Sequence, residues 1–370
     1  MGTKTTANDS RKIAIAAAIA LFTLVSCDKG GGSFSLLPAG NTFTQAASSV
    51  TNNKIDILFV VDNSYSMQPL QTNMVNNFNS FISNFITKGY DFQIGVTTSD
   101  AYLALSQFNN TPSYAYLRDG TGSTHTGYPI ITPSTPNIVN TFVTNANQGD
   151  QGSGDERVFS SFKAALQSSH NSGFHRPGAY LAIIILSDED DFSDPTRPED
   201  SWVYRGGIPD HDYADPGLET VASYETFLDQ FTGSTSAATR TWNVSAITVK
   251  DNTCLQSHAQ SAPSTIIGQR YIQMATDSNG ILGSVCDPSY ANSLNLISEQ
   301  ILQLSTQFAL TRVPDVTTIV VTVNGATISQ NATNGWTYSS ANNSIVFHGS
   351  AIPPQGASIT VDFQPVSAQN

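Results

Sequence analysis

The chain is short of charge. Only 12% of its 370 residues are Asp, Glu, Lys or Arg, about half the share usual in soluble domains. Bases are the scarcer kind: 16 Lys and Arg stand against 29 Asp and Glu, a formal charge of −13 at pH 7. This argues against nucleic acid as a partner, because phosphate binding needs clustered bases. Familiar catalytic signatures are missing too. The chain holds no H-E-x-x-H, no G-x-S-x-G elbow and no phosphate-binding G-x-x-x-x-G-K. The six histidines (125, 170, 175, 211, 258 and 348) follow no ligand spacing and read as surface or hydrogen-bonded residues. Aromatics are plentiful, 19 Phe, 13 Tyr and 3 Trp, so a packed core is expected rather than disorder.

The first residues read as an address. Lys4, Arg11 and Lys12 precede an apolar stretch, residues 13–26, too short for a spanning helix. Leu24-Val25-Ser26-Cys27 then resembles a bacterial lipobox. The resemblance implies cleavage before Cys27, a diacylated Cys27, and a lipid-anchored protein outside the cytoplasm, in the bacterial cell envelope. Removing residues 1–26 takes away three bases and one acid, leaving 13 against 28, or −15. Residues 27–53 read as a flexible tether opening with Asp28-Lys29-Gly30-Gly31-Gly32-Ser33. Cys254 and Cys286 remain as a pair in an oxidising compartment, where a disulfide is expected.

Two runs are nearly all apolar, residues 55–61 and 180–186. Such runs read as strands covered on both faces. Residues 91–98 and 244–249 read as further strands. Helices are expected at 68–87, 156–169, 218–231, 264–276 and 289–309, the first on a stripe from Leu70 to Ile86. The alternation predicts an α/β fold, doubly wound around a mostly parallel sheet, over 54–311. Residues 101–135 and 192–217 read as surface insertions. Beyond Pro314 the helical period stops. Short strands near 317–323, 335–339, 344–348 and 357–364, with an Asn324-Gly325 turn, predict a small all-β module over 312–370.

Ligands of open α/β sheets sit beyond the carboxyl ends of the strands. The first apolar run ends in Asp62-Asn63-Ser64-Tyr65-Ser66, and the second in Ser187-Asp188-Glu189. Asp62, Ser64, Ser66 and Asp188 offer hard oxygen donors suited to Mg²⁺, Mn²⁺ or Ca²⁺. Thr98 and Ser99 end a neighbouring strand and, with Glu189, are candidates for supporting contacts. The acids 189, 190, 191, 194, 199 and 200 otherwise read as a solvated loop.

On these residues, region 54–310 resembles a von Willebrand factor A domain with its metal-ion-dependent adhesion site. That family's D-x-S-x-S motif matches Asp62, Ser64 and Ser66, followed by Met67, and its fourth-strand aspartate matches Asp188. The family's loop threonine is replaced here. Counting back from Ala164-Ala165-Leu166 puts Asp155 in its place, with Glu156 next to it. The resemblance implies one divalent cation, Mg²⁺ foremost, held by Asp62, Ser64, Ser66, Asp188 and Asp155 or Glu156. It also implies a protein or glycan ligand at the metal face. The extra carboxylate should tighten the metal and weaken capture of an acidic partner. The expected role is adhesion or ligand binding. The alternative is a structural envelope lipoprotein whose metal only fixes loops. An enzyme, such as a metal-dependent hydrolase, is not expected, since no general base is identifiable.

Overall fold

The computed structural model describes residues 43–47, 54–194, 202–205, 208–237 and 240–366, with the backbone alone at 43, 45–47, 202–205 and 208–210. The signal segment, Cys27, and residues Glu199 and Asp200 lie outside the described residues.

A six-stranded sheet runs in the order Leu282–Ser284, Trp242–Thr248, Tyr180–Leu186, Lys54–Val61, Asp91–Thr98, Ile130–Ile131. All neighbours are parallel except the last pair. The apolar runs thus become the two central strands, in register from Ile55↔Tyr180 to Val61↔Leu186. Side chains alternate across a strand. Ile55, Ile57, Phe59 and Val61 enter one core, while Leu58 and Val60 enter the other. Helices Gln68–Asn76, Phe78–Lys88, Ile138–Ala146 and Ala291–Ser305 cover the first face. Helices Val158–Gln167, Val221–Thr232 and Gln269–Asp277 cover the second. The fold is a doubly wound α/β domain with a small β module. Phe59 anchors the first face, with Phe78, Phe81 and Phe142 at centroid distances of 6.3, 5.4 and 4.8 Å.

Several expectations need correction. The helix expected over 68–87 is two helices, broken at Asn77 (φ −108°). The Asn77 amide donates to the Asn73 carbonyl at 2.8 Å, and such back-bonding bends helices. Segment 101–135 is not a mere surface insertion. Ala101, Tyr102, Ala115, Leu117 and Ile131 are buried, and Ile130–Ile131 forms the sheet edge. Its Gly-, Pro- and Thr-rich composition hid elements too short to show a period. Segment 192–217 likewise buries Phe192, Ser193, Asp194 and His211.

The tether also ends earlier than expected. Phe43–Ala47 pairs antiparallel with Ile359–Phe363, which continues through Val320–Val323 to Ala326–Ile328. This five-residue strand has too little apolar content to stand out within 27–53. A three-stranded sheet (Phe308–Ala309, Ser344–Phe347, Trp336–Ser339) completes the module. Asn324 and Gly325 take φ of 50° and 79°, the conformation a two-residue hairpin of this twist requires. The module shares its core with the α/β domain. Trp336, Phe347 and Val361 belong to the cluster that holds Phe85 and Tyr90, and the Tyr90 hydroxyl donates to Pro353 O at 2.6 Å. Cys254 and Cys286 form the expected disulfide, with Cα atoms 5.6 Å apart.

Candidate metal centre

From Lys54–Val61 the chain builds outward on one side, to Asp91–Thr98. It then returns to place Tyr180–Leu186 on the other. The carboxyl ends of these two adjacent strands are therefore the switch point at which such sheets bind ligands. Asp62 and Asp188 stand there, both fully buried.

The Asp62 backbone amide donates to Leu186 O at 3.0 Å, extending the ladder by one residue. Its Oδ1 accepts from Ser64 N (2.9 Å) and Ser99 Oγ (3.3 Å), and its Oδ2 from Ser187 Oγ (2.8 Å). The Ser64 contact is the local turn that aspartate favours two residues before an amide. Ser66 Oγ donates to Asp188 Oδ1 at 3.0 Å. Asp188 Oδ2 meets His258 Nε2 at 2.8 Å and Thr265 Oγ1 at 3.3 Å. Burial foremost, and then the Asp188 charge, push the Asp62 carboxyl up to about 7, against the pull of hydrogen bonds from Ser64 and Ser187.

The glycine-rich loop packs on the motif. Gly152 N donates to Asn63 O at 2.7 Å, and a Cβ at Gly152 would lie 2.5 Å from the Asn63 side chain. Buried Gln71 ties the loops together. Its amide nitrogen donates to Asp62 O and Gly149 O, both at 2.8 Å, while its oxygen accepts from the amides of Gln148 and Gly149.

The two acids of this loop divide. Asp155 Oδ2 is taken by Arg157 Nε at 2.8 Å and by the Tyr102 hydroxyl at 3.2 Å. Glu156 is fully buried, and neither of its oxygens accepts a hydrogen bond from another residue. Burial, followed by the charges of Glu189, Asp62 and Asp188, raises its carboxyl well above the usual range. Of the two loop acids offered by the sequence, Asp155 is thus engaged by Arg157 and Tyr102, while Glu156 lies among the charges of Glu189, Asp62 and Asp188. Arg157, whose guanidinium is buried, pairs with the nearer acid.

Ser99 meets Asp62, whereas Thr98 Oγ1 accepts from Arg118 Nη2 at 3.4 Å instead. Glu189 is buried beside the cluster and accepts from the Tyr213 hydroxyl at 3.0 Å. The acids read as a solvated loop are the reverse where described: Glu189, Asp190, Asp191 and Asp194 are all buried. Asp191 accepts from Phe159 N (2.8 Å), Ser193 Oγ (2.7 Å) and Arg270 Nε (3.1 Å). Asp190 accepts from Arg270 N at 3.0 Å. Sequence reasoning passed over His211 and His258, since contacts with residues tens of positions away in the chain leave no local spacing to read. Glu156, Glu189 and His211 each offer a ligand atom, all within 4.8 Å of one another and all buried.

The donor set fits a divalent cation. Asp62, Asp188, Glu156 and Glu189 are carboxylates in one buried region, and the orphaned Glu156 oxygens are costly to leave without a positive partner. Ser66 and Asn63 on the motif loop are partly exposed.

No protein-family model and no curated protein matches the sequence. Solved structures do resemble the chain. Proximal thread matrix protein 1 from the mussel byssus aligns at 11% identity and a TM-score of 0.36, over 72% of this chain and 52% of its own. A form of it is described as having a zinc-occupied MIDAS motif. The pilus adhesin SpaC from Lactobacillus rhamnosus GG aligns at 11% identity and a TM-score of 0.34, over 85% of this chain and 40% of its own. The ArnB paralog VWA2 from Sulfolobus acidocaldarius gives 11% and 0.31, over 88% and 63%. The chain therefore spans about half the length of the mussel protein that it resembles.

Proposed function

We propose that this chain is a von Willebrand factor A protein of the bacterial envelope, lipid-anchored through Cys27. In this reading it holds a divalent cation, Mg²⁺ foremost, at the end of its central strands and binds a protein or glycan partner there. One observation carries the reading: Asp62 and Asp188, far apart in sequence, are buried together at the switch point, with Ser66 bonded to Asp188 at 3.0 Å. Asp62, Ser64, Ser66 and Asp188 would hold the ion, leaving room in its shell. A bound cation supplies an open coordination position to a partner's oxygen. The chain's own residues supply the rest. Ser99 and Ser187 orient Asp62, and His258 and Thr265 orient Asp188. Tyr65, 85% exposed between the two motif serines, offers a large apolar contact next to the ion, of the kind that anchors interfaces. The −15 charge of residues 27–370 and the extra carboxylate disfavour an acidic partner.

Calorimetric titration of Mg²⁺, Mn²⁺ and Ca²⁺ tests the reading, with Asp62→Ala run alongside. Saturable one-site binding that disappears in the variant is the expected result. Binding that Asp62→Ala leaves intact would overturn the assignment. Glu156 supports a second reading, in which its carboxylate completes the shell and the metal only stabilises loops. Partner capture that survives chelator in a folded protein would favour that reading.

A further inference from the structure

We infer that Glu156, Glu189 and His211 form a second metal site, distinct from the Asp62 site and selective for an imidazole-binding dication of the Zn²⁺ class. This goes beyond the proposed function, which neither uses His211 nor requires it. The inference rests on the convergence of three ligand types from separate parts of the chain. Glu156 precedes helix Val158–Gln167, Glu189 follows strand Tyr180–Leu186, and His211 ends strand Ile208–His211. Their ligand atoms lie within 4.8 Å of one another. Atoms bound to one cation at 2.0–2.2 Å sit roughly 3–4 Å apart, so small side-chain adjustments would close the shell.

Glu156 is the independent sign of a missing ligand. It has no solvent exposure, and neither oxygen is hydrogen-bonded by another residue. Carboxylates are seldom left so in a folded interior, because the ionised form needs a partner. Two carboxylates and a neutral imidazole balance a single dication, leaving the buried site with no net charge. The imidazole decides the class of metal. Mg²⁺ and Ca²⁺ take oxygen ligands in sixfold or higher shells, whereas imidazole with carboxylates suits Zn²⁺ and its first-row neighbours. His211 is also held for the task. Its ring stacks on Phe192 at 4.4 Å between centroids, with the Tyr213 edge at 5.9 Å. The Asp155 carboxylate stands 3.9 Å from Nε2, a charge beside the ring. Tyr213 orients Glu189 from the other side.

The test is Zn²⁺ binding to the purified, metal-stripped full chain in millimolar Mg²⁺, with X-ray absorption at the zinc edge. The expected result is one zinc with an imidazole in its shell. Affinity should fall more than ~100-fold in His211→Gln and in Glu189→Gln, since losing a ligand costs more than losing the partner that orients it. Asp62→Asn should keep both the zinc and its imidazole signal, so failure of the Asp62 site and failure of this one are told apart. A zinc shell without imidazole in the unmodified protein would overturn the inference, and this measurement needs no variant to fold. Displacement of zinc by Mg²⁺, or its loss in Asp62→Asn alone, would also overturn it by placing the zinc at the Asp62 site.

Discussion

Ser66 donates its hydroxyl hydrogen to Asp188 across 122 positions of sequence, at 3.0 Å. This one bond closes the motif loop onto the neighbouring strand end and holds Asp188 Oδ1 in place. Removing it should loosen the centre without opening a hole in the core, because Ser66 is partly exposed. Ser66→Ala is expected to weaken Mg²⁺ binding by ~10- to 100-fold. Its melting temperature in chelator should stay within ~2 °C of the parent. A large loss of chelator-state stability would mean the serine is structural.

The metal-free protein should lose stability as pH rises. Asp62 is held at about 7 in the folded chain, against about 3.9 when unfolded. Between those values the unfolded chain releases the proton and the folded chain keeps it, so the slope of stability with pH is negative. The favourable contribution is complete below about pH 4 and is lost as pH passes about 7. Thermal melts in chelator should therefore fall between pH 5 and pH 8. Asp62→Asn should lessen the fall without abolishing it, because burial also raises the Glu156 carboxyl, and saturating Mg²⁺ should reverse it by binding the ionised form. A melt indifferent to pH in both proteins would contradict the account of Asp62.

Gly152 is a position where a single methyl should be felt at the centre. A Cβ there meets Asn63 at 2.5–2.7 Å, including its backbone oxygen, and backbone cannot step aside as a side chain can. Gly152→Ala is expected to cost ~1–3 kcal/mol in stability. It should also weaken Mg²⁺ binding, since Asn63 lies between Asp62 and Ser64. Loss of stability with unchanged metal affinity would show that the loop and the centre are uncoupled.

Much of this was legible beforehand, and the limits are physical. The apolar runs 55–61 and 180–186 announced a covered parallel sheet because burial on both faces erases the polar alternation. Their acidic ends marked where a site would lie, because switch points fall where strands end. What stayed hidden was carried by contacts with no local period. Asp155 and Glu156 look alike in sequence, and only the fold shows that the buried Arg157 pairs with Asp155. Likewise His258 reaches Asp188, and Gln71 reaches the Gly149 loop, through tertiary packing. Asp190 and Asp191 read as solvated because runs of acids usually are. Here Arg270 and the helix start at Phe159 draw them inside.

The disulfide should matter to both stability and the centre. Cys254 lies in the short helix Asn252–His258, whose last residue contacts Asp188 at 2.8 Å. Cys286 follows the edge strand Leu282–Ser284, and the bridge spans 32 residues. Closing a loop of that length is worth about 3–4 kcal/mol in the chain-entropy account. The Cys254→Ala, Cys286→Ala double variant should therefore melt lower by ~5–10 °C. Freed of its tether, the helix should also hold His258 less firmly against Asp188, so Mg²⁺ affinity should drop while Asp62 keeps its own contacts. Saturating Mg²⁺ at 100 times the dissociation constant adds about 2.7 kcal/mol, enough to offset most of the loss. Two melts, with chelator and with Mg²⁺, check both parts. A variant whose melting point falls but whose Mg²⁺ affinity matches the parent would show that His258 is held by its own packing rather than by the bridge.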